Sequence, residues 1–265
     1  MRAMIFAAGL GTRLKPITDT MPKALVPVGA QPLLGHLIGK LKKAGYDEVV
    51  INVHHFAQMI RDYMAQNGNF GIKVLFSDET DLLRETGGGI RHAAAILNDG
   101  EPFLVHNVDI LSNLDLETFY EAHMAESISL DTPLATLLVS DRETSRYFLF
   151  DTGNNLVGWM NRLSGEVKSP FPELRREPSC DFKWEQFLQE HSLRKYAFAG
   201  THVVSPEVFK LMQEWPERFS IVDFYLQMAD KYIIKGYVKD DLRMVDVGKL
   251  DSLKEAEEFL NDENV

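Results

Sequence analysis

Residues 4–28 read "MIFAAGLGTRLKPITDTMPKALVPV", and their reading decides the fold. A short apolar run ends at Gly9 and Gly11, which predicts a buried strand over residues 3–7 leaving into a loop. Glycine serves where the backbone takes φ > 0 or comes close to a ligand, and successive exposed N–H groups in such a turn form an anion-binding hollow. A lone Gly-x-Gly also serves ordinary strand-to-helix turns. Arg13 adds a forked donor suited to phosphate oxygens, and Lys23 adds a point charge on backbone that Pro22 restrains. Two phosphate-binding patterns fail on spacing. A dinucleotide fingerprint needs glycine where Leu14 stands, and a P-loop needs Gly-Lys-Ser/Thr, which this loop lacks.

Outward from this loop, helical and strand spacing alternate. Helices are expected over residues 31–44, 56–66 and 89–97, with strands over 48–53, 72–76 and 102–106. The order βαβαβαβ implies an α/β fold, with a mostly parallel, mixed central sheet and helices on both faces. Ligands bind at the carboxyl ends of strands in such sheets, where the opening loop lies. After a helix over 115–126 come shorter strands over 134–139, 147–150 and 156–160. A polar, proline-bearing stretch over 164–194 reads as an irregular insertion or lid. The remainder predicts a strand over 196–204, helices over 206–214 and 221–231, strands over 233–238 and 244–247, and a charged helix over 250–261. There is no internal repeat.

The 265 residues suit a single domain, and 45% hydrophobic with 25% charged residues is ordinary for a globular protein. No apolar run approaches the roughly 18 residues that would cross a bilayer. The amino end has no apolar signal region, so a cytoplasmic location is the expectation. The single cysteine, Cys180, has no partner for an intrachain disulfide and no neighbours at metal-ligand spacing, which agrees with a reducing compartment. A net charge of −11 disfavours nonspecific binding to nucleic acid or anionic lipid, so any polyanion must meet a local cluster of cations. His54 and His55 point to opposite faces of a strand and cannot share one ion.

The run "AAGLGTRLKPITDTMPKALVPV" closely resembles the signature of the sugar-1-phosphate nucleotidylyltransferases, in which Gly-x-Gly-Thr-Arg, then Pro, then Pro-Lys form the triphosphate loop. The resemblance implies a glycosyltransferase A-like, nucleotide-diphospho-sugar transferase fold and transfer of a nucleoside monophosphate to a sugar 1-phosphate with loss of pyrophosphate. It implies nucleotide contacts at Ala7, Ala8, Gly9, Gly11, Thr12, Arg13 and Lys23, with Arg13 and Lys23 as the catalytic charges, and a base contact near Glu79. Residues 1–115 would form the nucleotide-binding half and 116–248 the sugar-phosphate half, followed by a C-terminal helical segment over 249–265.

The same resemblance implies Mg²⁺, held by Asp109 at the end of "PFLVHNVDI" and by Asp246 in "MVDVGKLDSL". Either aspartate alone also suits a turn or helix cap. The family form has glycine where Val108 stands and threonine where Lys249 stands. "LLRETGGGIRHAA" resembles the N-acetylmuramate-1-phosphate uridylyltransferase and mannose-1-phosphate guanylyltransferase-like branch. Thr86, Gly87 and Gly88 are expected to meet the nucleotide, with free N–H groups at a helix start holding a phosphate or hydroxyl. "YAFAGTHVVSPEVF" resembles the sugar-contacting strand. It places Gly200 beside the sugar, although a glycine bulge in a core strand fits equally, and Asn107 and Asn161 are candidates for sugar hydroxyls. The Glu-Lys-Pro lysine that neutralises the sugar phosphate in many members is absent; Lys168 is the nearest candidate. The expected partners are a nucleoside triphosphate, UTP before GTP, and a sugar 1-phosphate, with no nucleic acid or membrane and a monomeric or homodimeric state. Mannose-1-phosphate guanylyl transfer, phosphocholine cytidylyl transfer and a regulator that has lost catalysis remain alternatives, the last favoured by Val108 and Lys249.

Overall fold

The computed structural model describes residues 1–126, 132–179 and 181–263; Cys180 lies outside them. The first part of the chain forms β1 (Arg2–Phe6), β2 (Pro27–Val28), β3 (Gln31–Pro32), α1 (Leu33–Lys43), β4 (Glu48–Val53), α2 (Ala57–Gln66), β5 (Lys73–Asp78), α3 (Glu85–His92), α4 (Ala94–Leu97), β6 (Phe103–Asn107), β7 (Ile110–Ser112) and α5 (Leu116–Glu126). Then follow β8 (Ala135–Ser140), β9 (Arg146–Phe150), β10 (Leu156–Asn161), β11 (Glu166–Lys168), α6 (Trp184–Glu190), β12 (Arg194–Val204), α7 (Glu207–Leu211), α8 (Ile221–Met228), β13 (Ile234–Val238), β14 (Met244–Asp246) and α9 (Asp251–Glu263).

The central sheet runs β11-β10-β9-β12-β6-β1-β4-β5, with β8 paired to both β12 and β13. Pairing is parallel from β6 through β1 and β4 to β5, and antiparallel from β6 across β12, β9 and β10 to β11. The sheet is therefore mixed, parallel in the first half of the chain as the βαβ order requires. Alternation within each strand splits the core between its faces. Ala3, Ile5, Val49, Ile51 and Leu104 pack with α1, α2 and α5 on one side, while Met4, Val50, Phe103 and Val105 pack with α3, α7 and α8 on the other.

Residues 164–194 differ from the irregular insertion expected of them. They carry β11 and α6, and Val167, Leu174 and Phe187 pack with Tyr147, Leu149, Met160 and Ala197 in a core of their own. The polar composition hid this because few large apolar side chains suffice to seat a short helix on a sheet edge. A second difference lies at "ETGGGIRH", which is helix α3 itself, so the glycines sit inside the helix and not ahead of it. A third is β7 with β14, a separate antiparallel ribbon off the main sheet.

Candidate active site

The chain moves outward from β1 through β4 to β5, then returns to the other side of β1 to form β6. The carboxyl ends of β1 and β6 thus splay apart at a topological switch point, where α/β sheets leave a crevice. A cavity of about 350 Å³ lies there, walled by Ala7, Ala8, Gly9, Gly11, Thr12 and Arg13 after β1, and by Asn107 at the end of β6 with Val108 and Asp109 after it. Lys23, Glu79, Thr86 and Gly248 also line it. Most residues expected to meet a nucleotide therefore share one hollow.

The loop after β1 is held from beneath by a residue that the sequence reading passed over. Asn52 is the one polar residue after Glu48 in "EVVINV" of β4, and it is 3% exposed. Its Oδ1 accepts from Ala7 N (2.7 Å) and Ala8 N (3.2 Å), and its Nδ2 donates to Glu79 Oε1 (2.8 Å). Glu79 is fully buried, and its second oxygen accepts from Arg84 N at 3.1 Å. Both Glu79 oxygens are thus engaged within the protein, fixing Asn52, which in turn fixes the strand-to-loop turn. A polar side chain inside an apolar strand was the available signal, because such a group persists in a core only when it is bonded.

Beyond Ala8 the backbone turns at Gly11, which takes φ 62°; its carbonyl accepts from Thr18 Oγ1 at 2.8 Å. A Cβ on Gly11 would lie 2.9 Å from Thr18 Cγ2, so glycine is required there by backbone and by space. A turn of 3₁₀ helix over Thr12–Leu14 then presents Arg13, and another over Lys23–Leu25 presents Lys23. The Lys23 ammonium forms an ion pair with Asp109 Oδ2.

The ribbon of β7 and β14 brings the two aspartates together. Asp246 faces Ile110 in its register, and Val247 N donates to Asp109 O at 2.9 Å. A Cβ on Gly248 would lie 2.7 Å from Arg13 Nη2 and 2.8 Å from Asp246 Oδ1, so the guanidinium and the carboxylate both reach over this glycine at the cavity wall. Among the described residues no three His, Cys, Asp or Glu side chains gather at ligand spacing. Two carboxylates suit Mg²⁺, which binds one or two protein carboxylates and completes its shell with water and phosphate oxygens; they do not suit a closed zinc site.

Several expected residues fall elsewhere. The N–H groups of Gly87 and Gly88 both donate to Phe219 O (2.9 and 3.2 Å), so they are not the free donors expected of them. A Cβ on Gly87 would meet the Phe219 ring at 2.3 Å and one on Gly88 would meet Glu217 O at 2.3 Å. These glycines are needed for close packing against the segment that enters α8. Thr86 lines the cavity, and its Oγ1 accepts from Ile221 N at 2.9 Å. Gly200, at φ 74°, lies under the Asn107 side chain, whose Nδ2 would be 2.5 Å from a Cβ there. It supports Asn107 from beneath. Asn161 is turned away, its Oδ1 accepting from Leu163 N in the β10–β11 turn (3.0 Å).

A second cavity of about 320 Å³ opens at the start of α8. Arg142, Arg146 and Lys168 supply its cations, Asp223 its acid, and Trp159 and Phe198 aromatic faces. Arg142 donates to Phe198 O (3.0 Å) and lies within electrostatic range of Asp246. Sequence reasoning missed Arg142 and Arg146 because charged residues near strand ends carry no periodic signal.

The profile of the nucleotidyl transferase family matches residues 2–263. The chain is 40% identical over 121 residues to the N-acetylmuramate alpha-1-phosphate uridylyltransferase of Neisseria meningitidis serogroup B, covering 46% of this chain and 52% of that one. To the UTP–glucose-1-phosphate uridylyltransferase of Synechocystis sp. it is 27% identical over 259 residues, covering 94% of this chain and 61% of that one. The chain thus spans about half the length of the two N-acetylmuramate alpha-1-phosphate uridylyltransferases it matches. In fold it is similar to HddC from Yersinia pseudotuberculosis complexed with GMP-PN, with TM-score 0.69, 22% identity and coverage of 98% and 99% of the two chains. A putative glucose-1-phosphate thymidylyltransferase from Bacillus anthracis gives TM-score 0.74 at 18% identity, over 99% of this chain and 96% of the other.

Proposed function

Because this chain belongs to the nucleotidyl transferase family, we propose that it joins a sugar 1-phosphate to the nucleoside monophosphate of a triphosphate and releases pyrophosphate. UTP with N-acetylmuramate 1-phosphate, or a related hexose 1-phosphate, is the substrate pair that we favour. The observation that carries this reading is the convergence of Arg13, Lys23 and Asp109 on one cavity at the switch point, with Asp246 reaching over its wall at Gly248.

A sugar phosphate oxygen is already an anion at neutral pH, so its attack on the α-phosphorus needs no protein nucleophile. The barrier lies in bringing negative groups together and in stabilising charge on the group in transfer. Arg13 and Lys23 answer that demand with fixed positive charge on a loop that Asn52 and Gly11 hold in shape. Asp109 and Asp246 would hold Mg²⁺, which when bound neutralises phosphate charge. The uridylyl choice is supported by the relatives of that name. The choice of acceptor is supported by the cations of the second cavity, which suit a substrate with a carboxylate as well as its phosphate.

The test is pyrophosphate release with Mg²⁺, crossing UTP, GTP, CTP and dTTP with N-acetylmuramate 1-phosphate, mannose 1-phosphate, glucose 1-phosphate and phosphocholine. Release with UTP and a sugar 1-phosphate is the expected result. Release only with phosphocholine, or silence in every pairing while a triphosphate still binds, would overturn it.

A further inference from the structure

Asp246 ends β14 and Asp109 immediately precedes β7, so a ribbon of two short strands outside the main sheet carries both, and something must hold that ribbon in place. Val247 N donates to Asp109 O (2.9 Å) and Asn113 N to Arg243 O (3.0 Å), which fixes its hydrogen-bonded pairs. Such pairs alternate along an antiparallel ladder, so Ile110 and Ser112 turn their backbone groups away from β14 and leave a free edge. Behind that edge the packing is open. A cavity of about 170 Å³ separates it from Gly39 and Lys43 of α1 and from Phe259 and Leu260 of α9.

Lys40 crosses to this edge from α1. Its Nζ donates to Ser112 O and lies 3.5 Å from Ser112 Oγ, and Ser112 is 4% exposed. Burial holds the Lys40 pKa down to about 8, against the pull of Asp115. Helix α1 also carries the other half of the site. At its start Leu33 N donates to Val26 O (3.1 Å), and His36 Nε2 lies 2.8 Å from Val28 O, which anchors the segment that follows Lys23. One rigid helix therefore holds the cationic loop at one end and reaches the aspartate ribbon further along, and the Lys23–Asp109 ion pair closes the ring.

We propose that Lys40 is a positioning residue, which fixes the ribbon of Asp109 and Asp246 against α1 and so sets both carboxylates relative to the loop of Arg13 and Lys23. It touches no reacting atom. The proposal rests on the reading of the two aspartates as metal carboxylates. Lys40 stands with Lys42 and Lys43 in the last turn of α1.

The experiment compares the full chain with Lys40→Met and Lys40→Arg. Mn²⁺ binding is followed by EPR with UTP present and corrected for UTP alone; kcat and the KM for UTP are measured against Mg²⁺. Loss of a partner behind a metal carboxylate typically weakens binding by about 10- to 100-fold. We expect Lys40→Met to weaken Mn²⁺ binding at least about 10-fold and lower kcat while the KM for UTP changes less than about twofold, and Lys40→Arg, which keeps a donor, to recover most of the loss. Should Lys40→Met fail to fold, Lys40→Gln takes its place with the same outcomes. Wild-type Mn²⁺ binding in Lys40→Met, or in Lys40→Gln where that variant replaces it, or an arginine variant as impaired as the methionine one, overturns the proposal. A wild-type protein that binds no Mn²⁺ removes the metal reading itself, and the role of Lys40 with it.

Discussion

Lys23 and Asp109 are 86 positions apart and meet in an ion pair, their side chains only 11% and 20% exposed. Opposite charges that converge in a partly desolvated cavity depend on each other, since removing either leaves its partner uncompensated. The pair joins the opening loop to the turn after β6.

Replacing Asp109 with asparagine keeps the shape and removes the charge. Turnover is expected to fall at least about 10²-fold, the scale for losing an electrostatic stabiliser. Near-normal kcat in pyrophosphate release would remove Asp109 from the metal site.

Gly248→Ala tests the close approach of Arg13 and Asp246 to this glycine. The new methyl would sit 2.7 Å from one group and 2.8 Å from the other, so at least one must shift. A shift of about 1 Å in a positioning group can cost on the order of 10² in rate. The expected signature is a large loss of kcat/KM, and unchanged kinetics would show that the two groups do not act together.

Two glycine substitutions should behave in opposite ways. In Gly88→Ala the methyl meets the Glu217 carbonyl oxygen at 2.3 Å, backbone that cannot swing aside, and overpacking of this kind costs about 1–3 kcal/mol. Nothing lies within 4 Å of a Cβ on Gly9, so Gly9→Ala should leave stability within about 0.5 kcal/mol and act on the KM for the triphosphate alone. Urea unfolding of both variants decides; equal stability losses would contradict the packing role of Gly88.

The cations of the second cavity should act on the acceptor and not on the nucleotide. Arg146→Gln is expected to lower kcat/KM for N-acetylmuramate 1-phosphate by about 10-fold, the scale of one charge-assisted hydrogen bond, with little change for glucose 1-phosphate. Equal losses on both acceptors would mean that Arg146 supports the fold.

Stability should fall in acid through buried histidines. Burial lowers the pKa of His106 and His123 to about 4 and of His202 to about 3, from 6.5. The unfolded chain therefore binds protons first as pH falls. The stability they supply is complete above about pH 6.5 and is lost as pH drops through 6.5 towards 4. His202 stacks on Phe198 at 5.5 Å, and neither ring nitrogen has a partner, so His202→Phe loses no hydrogen bond. It should flatten the acid limb by up to about 1.4 kcal/mol per pH unit. Parallel pH profiles of the two proteins in urea unfolding would refute this.

The order of strands and helices up to β6 was legible because each element repeats its apolar residues over a few positions. The opening loop was legible too, since glycine, proline, arginine and lysine have chemistry that shows at short range. Asp109 and Asp246 could be named from their motifs. The tertiary structure alone decided what each residue meets. It set the glycines of α3 against Phe219 and put Asn52 and Glu79 under the loop. It also paired β7 with β14 and brought Lys40 to Ser112. These contacts join residues tens to more than a hundred positions apart. A side chain's partner at such distance is set by how sheet and helices pack, and nothing in the neighbouring residues encodes it.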